Sequence, residues 1–125
     1  MTQRFYPTLQ YDDAQAAIDF LKQAFGFEEV SMMKNEDGPI GHAELILDGA
    51  VVMVSDKKAA DARFPIGPTT LYFALDDPDA HHDRAVAAGA DIVMALVNQS
   101  YGSREYAAKD PGGNVWSFGT YRPQL

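Results

Sequence analysis

The chain contains an internal repeat. Residues 5 to 26 read FYPTLQYDDAQAAIDFLKQAFG, and residues 69 to 89 read TTLYFALDDPDAHHDRAVAAG. Each copy is a short alternating strand, an Asp-Asp pair, a helical stretch and a glycine. Asp12-Asp13 returns 64 residues later as Asp76-Asp77, with a one-residue slip near the end of the helix. Such self-similarity predicts two copies of one supersecondary unit.

The helix signals agree in both copies. Asp12 or Asp13 can cap the first helix, because a carboxylate accepts the orphan N–H groups of a first turn. Ala14, Ala17, Ile18, Leu21 and Phe25 then recur at helical spacing and make one apolar face. Gly26 is the expected stop. In the second copy Asp76 or Asp77 caps, Pro78 sits just inside and Gly89 ends the helix. Three strand-like runs follow each helix: 28–34, 41–47 and 50–55, then 92–98, 104–109 and 115–121. Gly- and Asn/Asp-rich turns separate them.

The expected fold class is therefore α+β, with two βαβββ modules forming an open curved mixed sheet around a trough. Module one spans 4–55 and module two 69–122. The polar, proline-containing segment 56–68, DKKAADARFPIGP, reads as the linker, with room for a short helical piece. One module alone leaves one sheet face open, and a concave sheet face is a natural small-molecule site.

Length and composition narrow the function classes. A chain of 125 residues with 46% hydrophobic residues fits one globular domain. There is no cysteine, so disulfides, thiolate nucleophiles and cysteine-bound metals are excluded. The opening MTQRFYPTLQYDD lacks a basic n-region and an apolar h-region, so a secretory signal is not expected. No apolar run reaches the roughly 20 residues that span a bilayer. The expected setting is the cytoplasm, with no membrane partner. A formal net charge of −8 repels phosphate and makes nucleic acid a poor partner. It serves solubility and also favours cationic ligands. The Gly-Gly at 112–113 lies between strands, so it is no phosphate loop, and no nucleophile elbow is present.

The strings YDDAQAAIDFLKQAFGFEEV, GHAELIL and KDPGGNVWSFGTY resemble the vicinal-oxygen-chelate superfamily, in its small glyoxalase, bleomycin-resistance and PhnB-like branch. The resemblance covers essentially the whole chain and speaks for the fold rather than for one reaction. In metal-using members four strands each supply a ligand, typically His, Gln or Glu. The resemblance puts Tyr6, Met53, Thr70 and Ser117 at those positions. Neutral phenol, thioether and hydroxyl groups are poor ligands for a divalent first-row metal. The immediate neighbours, Phe5, Pro7, Val52, Val54, Thr69, Leu71, Trp116 and Phe118, supply none either. No metal and no cofactor are expected.

Strand parity sorts trough from core. Phe5, Leu9, Tyr11, Leu71, Phe73, Leu75, Trp116 and Phe118 are expected toward the helices. The expected ligand-binding lining is Tyr6, Thr8, His42, Glu44, Met53, Tyr72, Arg104, Tyr106 and Ser117. Each has a plainer structural role available: the tyrosines as filling, Met53 as a gap-filler, and Arg104 paired with Glu44 or Glu105. His42 and Glu44, two apart on a strand, share a face and are the candidate catalytic pair, since a carboxylate can orient an imidazole base. His81 and His82 are helix neighbours about 100° apart and are not expected to converge.

These readings favour a metal-independent small-molecule-binding protein over an enzyme. Its ligand would be an aromatic or cationic compound, sequestered as in antibiotic resistance. The alternative is a glyoxalase-like lyase, isomerase or dioxygenase that uses an unconventional metal site or His42/Glu44 acid–base chemistry. The expected partners are a small-molecule ligand and a second copy of the chain in a homodimer.

Overall fold

Asp13 starts the first helix: its carboxylate accepts a hydrogen bond from the Ala16 amide. Asp77 does the same for Ala80 in the second copy. Of each Asp-Asp pair, the second residue is thus the cap. The structure, a computed structural model, describes residues 3–59, 63 and 67–123. It divides between residues 67 and 68 into two compact units.

The first unit runs β1 (Thr8–Tyr11), α1 (Ala14–Phe20), β2 (Glu28–Lys34), β3 (Ile40–Leu47) and β4 (Ala50–Asp56). The second runs β5 (Thr70–Ala74), α2 (Pro78–Ala87), β6 (Asp91–Asn98), β7 (Arg104–Lys109) and β8 (Val115–Gly119). Each unit forms its own four-stranded sheet, in the order β1-β4-β3-β2 and β5-β8-β7-β6. In both, the first strand lies parallel to the last and the other pairs are antiparallel. A parallel pair needs a crossover connection, and the helix lies on that path.

Each helix covers one sheet face and leaves the other open. In the first unit, Leu9, Tyr11, Ile18, Leu21, Phe25, Leu45 and Val54 are buried, as alternation on the strands and the helical face require. The last turn of the first helix widens to π-helical spacing over Leu21–Phe25 before Gly26 ends it at φ 87°. Trp116 and Phe118 form the centre of the second core, with Phe118 stacked on Tyr106 at 5.3 Å.

Several boundaries differ from the expectation, β3 and β6 each beginning one residue earlier, at Ile40 and Asp91. The opening strand begins at Thr8, so Phe5 precedes it and is 84% exposed rather than packed under the helix. The final strand ends at Gly119, two residues short of the expected 121. Within the expected linker, Asp56 closes β4 and Lys57–Ala59 form a 3-10 turn. Residues 60–62 and 64–66 of that segment lie outside the described residues.

Asp56 also fastens the first unit. One carboxylate oxygen accepts from the Ala14 amide at 2.8 Å and the other from the Ile40 amide at 2.7 Å. A single side chain thus joins the start of α1 to the start of β3. Asp56→Ala leaves both amides short of a partner and is expected to cost about 2 kcal/mol of unfolding free energy, measured by chemical denaturation.

Candidate functional site

The open face of the second unit holds a concavity of about 630 Å³ lined by Thr70, Tyr72, Tyr101, Glu105, Ser117 and Tyr121. Strand pairing explains most of this set. Tyr72 pairs with Ser117 across β5 and β8, and Glu105 pairs with Gly119 across β7 and β8. Paired residues share a face, so these side chains stand together opposite α2.

Glu105 lies at the base of the face and is only 6% exposed. Its Oε1 accepts from the Tyr101 hydroxyl at 2.8 Å and from the Gln99 amide at 3.3 Å. Donating to this carboxylate, and standing near its charge, raises the Tyr101 pKa. Burial raises that of Tyr72, whose hydroxyl donates to the Tyr121 carbonyl at 2.7 Å. Both phenols therefore stay protonated at neutral pH. The Tyr121 ring meets Tyr72 and Tyr101 edge-on, at 6.5 and 6.3 Å.

The first unit has a smaller concavity of about 250 Å³, lined by Tyr6, Glu44, Val51 and Met53. The Gln3 side-chain amide bonds both backbone groups of Val51, and Tyr6 donates to the Gln3 carbonyl at 2.9 Å. Tyr6 is thereby tied to the start of β4. Beside it His42 Nε2 and Glu44 Oε2 are 2.8 Å apart and part-buried, sharing one face of β3. Thr8 lies in register with Met53 at the exposed start of β1.

Arg104 and Tyr106 depart from the expected lining. Tyr106 is fully buried and pairs with Phe118. Its hydroxyl shares a hydrogen bond with His81 Nδ1 beneath α2, and burial raises its pKa strongly. Arg104 lies on the same side of β7 and bonds Asp79 on α2 and Asn98, rather than Glu44 or Glu105. The open-face residue of this strand is instead Glu105. His81 and His82 both lie against Tyr106, with ring centroids at 5.8 and 5.2 Å, so they share a neighbour that their helical spacing did not suggest. Tyr106→Phe is expected to cost about 1 kcal/mol of stability while leaving ligand binding on the open face unchanged. Denaturation and ligand titration of the same variant check both parts.

The fold finds counterparts among known proteins. The family model of the Glyoxalase/Bleomycin resistance protein/Dioxygenase superfamily matches residues 5–118. The chain belongs to this superfamily. It is 36% identical over 121 residues to an uncharacterised protein of Mycobacterium bovis, covering 90% of this chain and 80% of that protein. It is 26% identical over 117 residues to the anthracycline biosynthesis protein DnrV of Streptomyces peucetius, covering 84% of this chain and 42% of that one. Among solved structures, TioX from Micromonospora sp. ML1 superposes with a TM-score of 0.78 at 30% identity, covering 95% of this chain and all of that one. Lactoylglutathione lyase from Agrobacterium tumefaciens shares the fold, with a TM-score of 0.72 at 24% identity over 95% of this chain and 93% of that one.

The four residues that the family resemblance puts at the metal-ligand positions do not fit a divalent cation. Tyr6 is a phenol that already donates to Gln3, Met53 is a thioether, and Thr70 and Ser117 are hydroxyls. Among the described residues, no three His, Cys, Asp or Glu side chains gather in a metal-holding group. A neutral set of this kind leaves a divalent cation without charge compensation.

Proposed function

We propose that this protein is a metal-independent small-molecule-binding member of its superfamily, and that its ligand is an aromatic or cationic compound held on the open face of the second unit. The tyrosine-lined concavity around Glu105 carries the reading. Rigid aromatic walls with a few placed polar groups suit a flat, partly polar ligand. A volume of about 630 Å³ accommodates a body of drug size. The relative from anthracycline biosynthesis supports a role beside such compounds. The exposed Val30 and Met33 on edge strand β2, with Val93 and Val97 on edge strand β6, support a homodimer, which sedimentation velocity checks.

A thermal-shift screen against aromatic and cationic compounds tests the binding role. A ligand at 100 times its Kd adds about 2.7 kcal/mol of stability, which a domain of this size shows as a clear rise in Tm. A screen without hits, together with measured turnover of a substrate, overturns it.

The His42–Glu44 hydrogen bond favours a second reading, acid–base catalysis on the open face of the first unit. In that case His42→Ala abolishes turnover of a glyoxalase-type substrate. Under the binding role, there is no turnover for it to abolish.

A further inference from the structure

We propose that the open face of the second unit recognises a protonated amine, with the Glu105 carboxylate as counter-ion and Tyr72, Tyr101 and Tyr121 as the surrounding walls. This inference rests on the binding role set out above and names the charge its ligand carries.

The carboxylate is buried and only half satisfied. Glu105 is 6% exposed, and both of its hydrogen bonds go to Oε1. Its Oε2 has no donor among the described residues. No buried side-chain oxygen among the described residues lacks a partner, so Oε2 is the oxygen that reaches the concavity, where a cation can supply both charge and donors. Neither nearby arginine forms an ion pair with Glu105, although, against the larger effect of burial, the Arg122 charge reaches Tyr72 and acts to lower its pKa. Arg104 leaves by the opposite side of β7 to Asp79, and Arg122 bonds Asp76.

Space for the carboxylate is built into the fold. A Cβ on Gly119 would stand 2.5 Å from Glu105 Cγ and 2.9 Å from the Tyr72 hydroxyl. Glycine at this position leaves the volume that Glu105 and Tyr72 fill.

The walls suit a cation as well. Tyrosine ring faces attract an ammonium group, more strongly where water is excluded. Because Tyr72 and Tyr101 keep their protons, the negative charge of the site stays on Glu105. One carboxylate among neutral phenols is a weak set for a divalent metal but matches the single charge of an amine. The net charge of −8 draws cations toward the protein.

The test is a titration of isotope-labelled full-length protein, followed by NMR, with three matched indoles: tryptamine, its neutral alcohol analogue tryptophol, and indole-3-acetate. Tryptamine is expected to move the Tyr72, Tyr101 and Ser117 resonances and to bind at least about tenfold more tightly than tryptophol, with the acetate weakest. Glu105→Gln is expected to remove the preference for the amine while leaving the aromatic contact. Equal affinities for amine and alcohol overturn the inference but leave the binding role standing. So does tryptamine perturbing other residues, or failing to bind at about 10 mM. A screen that finds no ligand of any charge, together with measured turnover of a substrate, removes the binding role itself. If Glu105→Gln does not fold, the comparison of the three indoles on the unaltered protein still decides.

Discussion

Asp110→Ala is expected to destabilise the second unit by roughly 3 kcal/mol. This carboxylate, in the KDPGGNVW string, is buried and accepts from the Gly112 and Asn114 amides, the Asn114 side chain and the Trp116 indole. Asn114 in turn accepts from the Thr69 amide ahead of β5. Removing the carboxylate strands the indole N–H and the Asn114 amide inside the core, and each unmet buried donor costs about 1–3 kcal/mol. Trp116 is the chain's single tryptophan and touches Asp110, so its fluorescence reports the unfolding directly. A loss below about 1 kcal/mol would mean that water replaces the carboxylate at little cost.

The second large effect is expected at Gly119. Its restriction is one of space. Besides the contacts with Glu105 and Tyr72, a Cβ there would meet Ser103 Oγ at 3.1 Å. Glu105 cannot swing clear cheaply, because it is buried and bonded to Tyr101 and Gln99. Gly119→Ala should therefore cost about 1–3 kcal/mol, as overpacking does, and displace Glu105 from the base of the open face. Denaturation gives the first quantity, and the loss of any tyrosine-face ligand in a thermal-shift assay gives the second. A variant as stable as the parent would show that the face is loosely packed.

Much of this architecture was legible because the repeat is written in local chemistry. Asp13 and Asp77 cap, Gly26 and Gly89 follow the helices with positive φ, and alternation on β1, β4, β5 and β8 separates core from open face. Strand β7 resisted the same reading for a physical reason. Charged residues stand on both of its sides, Arg104 on one and Glu105 and Lys109 on the other, so polarity does not betray its orientation. Its orientation was also out of step with the repeat. Val52 and Val54 are repeated by Trp116 and Phe118, but their partners Leu45 and Ala43 are repeated by Ala108 and Tyr106, one residue off the spacing of the last strands. Pairing β7 against the core residues Trp116 and Phe118 would have placed Tyr106 inside and Glu105 outside. Tyr101 and Tyr121 stand outside the expected lining. Tyr101 lies in a turn where parity does not apply, and Tyr121, which shares the parity of Ser117 in the expected run 115–121, lies beyond the observed end of β8.

The proposed metal independence rests on the chemistry of Tyr6, Met53, Thr70 and Ser117, the residues that the family resemblance puts at the ligand positions. The most direct measurement is elemental analysis of protein purified without chelators or a metal-affinity tag, paired with the thermal shift of a screened ligand with and without EDTA. The expected result is far less than one metal per chain and a ligand-induced shift that EDTA does not change. Stoichiometric zinc, nickel, manganese or iron, lost on His42→Ala or Glu44→Gln together with the ligand-induced shift, would contradict metal-independent binding.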